Sequence, residues 1–233
     1  MMHRLSFIIC LCFSTLLPAS NTQTTPAEPA PKLTETEIVQ KIQTMADNGN
    51  ARAQFLLSNL YAEGFDFLSK DTKNHQYWLL KAVDSGDPDA QFFLANLYLK
   101  GNDWLIKNND LAIFWLLQAA NKSHFMATTT LSMIYDTGKI IEKNSPRSYY
   151  WCLAASQMKI PEYDKQADDF YQLASQSDSL KMILFNTSPS LFNHEFQLTL
   201  NQSNKCERLG QNLSEAQRKE IQKTAEAFMP GKK

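Results

Sequence analysis

Apolar positions between residues 53 and 64 follow the spacing of an amphipathic helix. From Ala53, the residues Leu57, Leu60 and Tyr61 fall on one helical face, and the run stops at Gly64. Glycine suits the end of a helix because it enters the left-handed conformation without a Cβ clash. The pattern therefore predicts a helix that buries this face and ends at the glycine.

The same pattern occurs twice more at a constant offset. Tyr61, Tyr98 and Tyr135 lie 37 residues apart (98 − 61 and 135 − 98). An internal period between about 20 and 50 residues indicates a stacked array in which each unit packs on its neighbours. The repeated positions are Ala53, Ala90 and Ala127, then Tyr61, Tyr98 and Tyr135, then Gly64, Gly101 and Gly138.

A second helical pattern follows each of these glycines after a variable loop. The aromatic pairs that mark it are Tyr77-Trp78, Phe114-Trp115 and Tyr150-Trp151. The third copy is one residue shorter, and its deletion lies in the loop, where repeats tolerate it. Gly86 closes one second helix, whereas Ser123 stands at the corresponding point of the next unit. We interpret the tryptophans as packing residues, because aromatic stripes at helical spacing usually fill a core; ligand stacking is the alternative.

The segments 53–64 (AQFLLSNLYAEG) and 77–86 (YWLLKAVDSG) together resemble the two halves of a Sel-one-like repeat. This family is related to the tetratricopeptide repeats, but its period exceeds their unit of about 34 residues. The resemblance covers about residues 45–156. It departs from the family at His75 and Ser148, which stand where the alanine seen at Ala112 is usual.

Membership of this family implies an all-α fold, an α/α superhelical solenoid of antiparallel helix pairs. It also implies a role as a protein-interaction adaptor. Exported bacterial members are typically envelope assembly factors, or proteins that engage a host or another envelope protein. No catalytic residue carries over, because the family has no shared active site.

The amino terminus has the pattern of a secretory signal. His3 and Arg4 precede the uncharged apolar run 5–17, and Pro18, Ala19 and Ser20 follow it. The run is shorter than the roughly 20 residues of a membrane-spanning helix. We expect residues 1–20 to be removed, with an uncleaved anchor as the alternative. The mature chain would then be exported, to the periplasm or beyond the cell, without inserting in the membrane.

The rest of the chain divides into four further segments. Residues 21–33 form a Pro/Thr-rich linker, and residues 34–176 the repeat array, beginning at a capping box of Thr34 and Glu37. The array would end in a degenerate helix over 162–176. Residues 177–212 form an insertion with apolar runs and a weak strand pattern at 196–200, either a partner-binding element or extra packing. Residues 213–233 form a terminal capping helix, which begins at the capping-box spacing of Ser214 and Gln217.

Two cysteines remain after removal of the signal, Cys152 and Cys206. An exported protein meets an oxidising compartment, so the two thiols can form one disulfide. Cys152 also lies in a predicted helix, where a cysteine is often a small buried hydrophobe. Both alternatives stay open from the sequence.

Charge and motifs give no sign of a reaction centre. The formal net charge is −1 over 233 residues, which argues against nucleic acid as a partner. The histidines have no metal-ligand spacing, and with 7 glycines the chain has few places for a phosphate-binding loop. We therefore expect no catalytic residue, cofactor or metal.

These observations favour a non-catalytic adaptor of the cell envelope that holds a protein partner in a groove lined by the first helices. The candidate contact residues are Phe55, Asn59, Phe92, Asn96, Thr129 and Met133. The alternative is an inhibitor or immunity-type antagonist that acts on a cell-wall or envelope enzyme through residues 177–212. A hydrolase that uses this segment is less favoured by the sequence. The partner and the oligomeric state cannot be derived from the sequence.

Overall fold

Helices joined by short loops make up the part of the chain that the structure, a computed structural model, describes: residues 33–158, 172–187 and 204–227. Within these ranges the only extended pairing is an isolated bridge between Phe65 and Leu68. The helices are α1 (Glu35–Asp47), α2 (Ala51–Glu63), α3 (Thr72–Asp84), α4 (Pro88–Lys100), α5 (Asn109–Asn121), α6 (Phe125–Thr137), α7 (Ser145–Gln157), α8 (Asp178–Thr187), α9 (204–210) and α10 (Glu215–Ala227).

Successive helices pack in pairs, α2 on α3, α4 on α5 and α6 on α7. The repeated apolar face predicted from the 37-residue period is the buried one, and Leu57, Leu94 and Leu131 lie in its interior. Burial of one leucine side chain stabilises a fold by about 1.5 to 3 kcal/mol, and each of these leucines lies in a buried apolar cluster of the array. The predicted all-α solenoid is confirmed.

The start of each first helix is capped by a side chain at one repeat position. Asn50, Asp87 and His124 each accept a hydrogen bond from the backbone N–H three residues later, which satisfies a donor that the helix cannot. In the turn just before this cap, Gly49 and Gly86 have φ values of 88° and 84°. Ser123 takes the same left-handed conformation at φ 63°, at a cost of order 1 kcal/mol relative to glycine.

The repeated tyrosines close the loop within each pair through their backbone. The carbonyl oxygens of Tyr61, Tyr98 and Tyr135 accept the N–H of Asp71, Asn108 and Asn144 respectively, each at 2.9 Å. These acceptors end the first helices, and the donors cap the second ones. The shorter third loop keeps this bond, so one residue can be lost without moving the helices apart.

His75 and Ser148 stand where alanine is usual, and each forms a polar pair with a serine on the other helix of its repeat. Ser58 donates to the carbonyl of His75 at 3.0 Å, and His75 Nδ1 lies 3.0 Å from the carbonyl of Ser58. Ser132 and Ser148 make the same reciprocal contacts at 3.0 and 2.9 Å.

The middle repeat has alanine at both of these positions, Ala95 and Ala112, and both are buried. Polar residues therefore occur together or not at all at this contact, because a buried hydroxyl or imidazole without a partner is costly.

The C-terminal helices α9 and α10 pack on α7, at the last repeat. Cys206 of α9 is joined to Cys152 of α7 by a disulfide, with a Cα–Cα distance of 5.4 Å. Leu209 and Leu213 pack with Tyr149 around the bridge. The capping box predicted at Ser214 and Gln217 is present at the start of α10.

Residues 172–187 pack at the other end of the array, against α1 and α2. Ala174, Leu180 and Ile183 share one buried cluster with Ile38 and Leu56. The Ser177 hydroxyl donates to Glu35 Oε1 at 2.6 Å. The chain thus returns from its last repeat to its first one.

Several sequence expectations lie outside the described residues. These are the signal over 1–20, the linker up to residue 32, residues 188–203 of the insertion with the strand pattern at 196–200, and most of the helix expected over 162–176. Residues 172–174 of that helix are helical. Among the helices in the described ranges, none has the length and apolar character that a bilayer crossing requires.

Candidate protein-binding surfaces

The first row of predicted groove residues occupies one register of the first helices. Phe55 of α2 is buried, at 1% exposure, and its ring meets Phe93 of α4 edge-on at 5.8 Å. Phe92 is half-buried and lies against the His124 ring at a centroid distance of 4.8 Å. Thr129 is half-buried, and its hydroxyl donates to the Met126 carbonyl at 3.0 Å. In this register Phe55 and Phe92 pack between neighbouring repeats.

In the second row of predicted groove residues, the exposed fraction of the side chain increases from α2 to α6. Asn59 is buried, Asn96 is half-buried with its amide donating to the Phe92 carbonyl at 3.0 Å, and Met133 is 50% exposed. These residues occupy the same position of α2, α4 and α6, so the difference comes from what surrounds each helix. Of the six predicted contact residues, Phe92, Asn96, Thr129 and Met133 are therefore at least partly accessible, and Met133 is the most exposed.

A buried polar network connects the amino-terminal ends of α2, α4 and α6. Arg52 lies 3.5 Å from carboxylate oxygens of both Asp87 and Asp89. His124 Nδ1 accepts the Ala127 N–H, so the proton of a neutral ring resides on Nε2, which donates to Asp89 at 2.8 Å. Arg52 and Asp89 stand 37 residues apart, at one repeat position of neighbouring first helices, so this contact could have been indicated by the sequence.

Within this network, burial and then the like charge of Asp89 raise the pKa of Asp87, whereas Arg52 lowers it, and the resulting pKa is about 6. Asp87 also accepts the Ala90 N–H at 2.8 Å, so its carboxylate is committed to a helix cap. We interpret the network as a connection between repeats.

The described residues contain no group of three or more His, Cys, Asp or Glu side chains that could hold a metal ion. The side chains chosen from the sequence as repeat positions lie in the interior or are partly buried. Buried ones are Ala53, Trp78, Ala90, Ala127, Tyr135 and Trp151, and partly buried ones are Tyr61, Tyr98 and Trp115.

A second set of exposed apolar side chains, which we call the aromatic ridge, comprises Tyr77 and Leu80 on α3 and Leu111 and Phe114 on α5. Their exposed fractions are 50, 44, 40 and 47%. Tyr77 and Phe114 occupy the same repeat position, and each ring meets the adjacent tryptophan edge-on at 5.0 Å. The sequence shows Tyr77 and Phe114 as members of repeated aromatic pairs, but their recurrence could not reveal that these two rings stay exposed.

A family model described as Sel1 repeat matches residues 51–87, 88–124 and 126–159 of this chain. The structure of a Sel1 repeat protein from Oxalobacter formigenes is 27% identical, covering 57% of this chain and 96% of that chain, with a TM-score of 0.47.

The structure of a protective antigen of uropathogenic Escherichia coli strains, displaying an SLR fold, is 18% identical with a TM-score of 0.31. That likeness covers 84% of this chain and 44% of the antigen, so the present chain spans less than half of it. No curated protein sequence matches the chain.

Proposed function

Because this chain belongs to the family of Sel1 repeat proteins, we propose that it is a non-catalytic scaffold of the bacterial cell envelope that binds a protein partner. Sel1 repeat proteins are generally protein-interaction scaffolds. The aromatic ridge carries the proposal for this chain, because four large apolar side chains stay 40 to 50% exposed on equivalent faces of two repeats. Exposed apolar groups of this kind are typical of protein interfaces, in which tyrosine and phenylalanine are enriched.

Two features support an envelope location. The first 20 residues have the charge and apolar pattern of a secretory signal. Cys152 and Cys206 are joined by a disulfide, a bond that persists in oxidising compartments such as the periplasm. We place the mature protein in the periplasm, with secretion as the alternative.

The accessible part of the predicted groove, which comprises Phe92, Asn96, Thr129 and Met133, is the competing contact surface. It offers one strongly exposed apolar side chain, Met133, whereas the aromatic ridge offers four. Burial of a central aromatic cluster contributes most of the affinity in many interfaces. We therefore expect the ridge to be the principal contact.

Site-specific photocrosslinking in intact cells tests this proposal. A photoreactive phenylalanine analogue would replace Phe114 on the ridge, Met133 in the groove row, or the exposed Lys139 as a control. We expect a discrete protein adduct from position 114 and none from position 139. The adduct should disappear when Tyr77→Ser is added, since that change removes the half-exposed ring at the same position of the preceding repeat.

The other outcomes are equally specific. Adducts from position 133 alone would move the interface to the first helices and retain the scaffold function. Absence of adducts from both positions, with the protein folded and exported, would contradict the proposed function.

A further inference from the structure

Within the residues that the structure describes, the array begins with half of a repeat. α1 ends in a turn at Gly49 before the capped start of α2, as α3 ends at Gly86 before α4. By this correspondence α1 is a second helix. The described chain has no first helix before it, since α1 starts at Glu35 and the described residues start at 33.

The contact between consecutive first helices shows which surface this leaves without its usual neighbour. Phe93 of α4 packs its ring on Phe55 of the preceding first helix, α2. Leu56 stands at the repeat position of Phe93 (56 + 37), so it points to where a first helix preceding α2 would lie. Leu56 is nevertheless buried, at 2% exposure.

Residues 172–187 occupy that place. Leu180 and Ile183 are buried, and they share the hydrophobic cluster of Leu56. The backbone N–H of Leu180 points to the Ser177 hydroxyl oxygen at 3.4 Å, and this hydroxyl donates to Glu35 of α1. Ser177 thus sits before α8 as Asn50 sits before α2 and Asp87 before α4.

The occupying segment covers this surface with one face only. Among the described side chains of this segment, Ala174, Ser177, Leu180 and Ile183 are buried, whereas Met182 is 61% exposed and Lys181 and Asp178 pair at 3.0 Å on the surface. The neighbouring described stretches, α7 and α9, both lie at the last repeat. The segment is therefore tethered from the far end of the array and docks through a few apolar contacts.

We infer that the α1–α2 end of the array is a binding surface for an amphipathic helix, and that residues 172–187 are its resident occupant and intramolecular competitor. The complementary ligand has a hydroxyl residue at its start that meets Glu35, followed by apolar residues at the third and sixth positions after it, as in Ser177, Leu180 and Ile183. A partner helix of this pattern binds once residues 172–187 have left. This inference extends the proposed scaffold function to a second surface and is independent of the aromatic ridge.

The test uses the full oxidised chain and a fluorescent synthetic peptide of residues 172–187 as the probe. In the wild type the resident segment competes, so the peptide binds weakly. The double substitution Leu180→Asp and Ile183→Asp in the protein should release the resident segment and tighten peptide binding by at least about tenfold. A matched control, Met182→Asp on the exposed face of the same helix, should behave as the wild type.

A peptide carrying the two aspartates should not bind either protein. If the double variant keeps its helical content and binds the unmodified peptide no better than the wild type does, the inference is wrong. Ridge changes Tyr77→Ser and Phe114→Ser should leave peptide affinity unchanged, which separates this test from that of the proposed function.

A second measurement serves if the double variant does not fold. Glu35→Gln alters a partly exposed side chain and weakens the hydrogen bond from Ser177, so it should leave the fold intact. Hydrogen exchange of the amides of residues 178–183 should accelerate in this variant, while that of α4 and α5 stays constant. Equal exchange over 178–183 in both proteins would overturn the inference.

Discussion

The two ends of the array are both covered by the C-terminal part of the chain, but by different kinds of bond. At the last repeat, the Cys152–Cys206 disulfide fastens α9 to α7. At the first repeat, Leu180, Ile183 and the Ser177–Glu35 hydrogen bond hold residues 172–187 on α1 and α2. A covalent bond keeps its end closed, whereas non-covalent contacts open and close at equilibrium, so only the first repeat offers an exchangeable surface.

Removing the disulfide should have the largest effect on this difference. Cys206→Ala opens a loop closed over a sequence separation of 54 residues, for which chain entropy predicts a loss of about 4 kcal/mol. We expect α9 and α10 to detach from α7 well before the array unfolds. Thermal unfolding followed by circular dichroism, with mass-spectrometric hydrogen exchange over 204–227, measures the change.

The reducing agent alone provides the control for this variant. It should shift wild-type unfolding to the variant's midpoint and leave the variant unaffected. A variant as stable as the oxidised wild type would show that the apolar contacts of Leu209 and Leu213 suffice to hold this end.

Truncation of one buried side chain should open the other end. Leu180→Ala removes a fully buried leucine and should lower the free energy of detaching residues 172–187 by about 3 kcal/mol. Exchange of the amides of residues 178–183 should accelerate strongly, while exchange near Cys206 stays slow. Met182→Ala, on the exposed face, is the matched control and should change neither region.

Lowering the pH should destabilise the first repeat more than the last, and we expect this effect to be smaller than those of the two preceding variants. Burial lowers the pKa of His75, and Lys70 adds to this, so the folded chain binds a proton at this site less readily than the unfolded chain. The stability that neutral His75 contributes is thus present above the unfolded pKa of about 6.5 and is lost as the pH falls below it. The Ser132–Ser148 pair of the last repeat has no group that titrates there.

The comparison protein for this test is a double variant that copies the alanine pair of the middle repeat. Ser58→Ala with His75→Ala reproduces the Ala95 and Ala112 pair, and the double variant should unfold at a similar temperature at pH 7.5 and lose less stability than the wild type at pH 5.5. Ser58→Ala alone should lower the free energy of unfolding by about 1 kcal/mol at pH 7.5, since it deletes one buried hydrogen bond.

Asp87 is common to all these proteins. Because its pKa is raised, its contribution to stability increases, not decreases, as the pH falls from about 6 to about 4. Parallel acid responses in wild type and double variant would exclude His75 as the cause.

Local sequence patterns predicted the helix pairs because their causes are local. A helix needs an apolar face at a spacing of 3 and 4 residues, a capping side chain and a terminating residue, and all three recur at Asn50, Leu57 and Gly64. The capping boxes at Thr34 and Ser214 could likewise be predicted from the sequence, since the partner residue of each stands three positions later. Even the paired departures at His75 and Ser148 follow from the repeat alignment once the facing residues, Ser58 and Ser132, are compared.

Exposure of the candidate contact residues could not be predicted in this way. Asn59 and Met133 share one repeat position, yet one is buried and the other half-exposed. Tyr77 and Trp78 are adjacent aromatics, of which the structure exposes one and buries the other. Burial depends on which neighbours surround a helix in space, and the neighbours at an end of the array differ from those in its middle.

The sequence by itself determined the helices, their pairing and the period of the array, because hydrogen bonds and apolar faces within one repeat specify them. Only the tertiary structure decided where the C-terminal part docks: α9 and α10 on the last repeat, and residues 172–187 on the first. The apolar face of Leu180 and Ile183 would suit many surfaces equally well. In the structure these side chains pack with Leu56 on α1 and α2, a surface that is formed only once the array has folded.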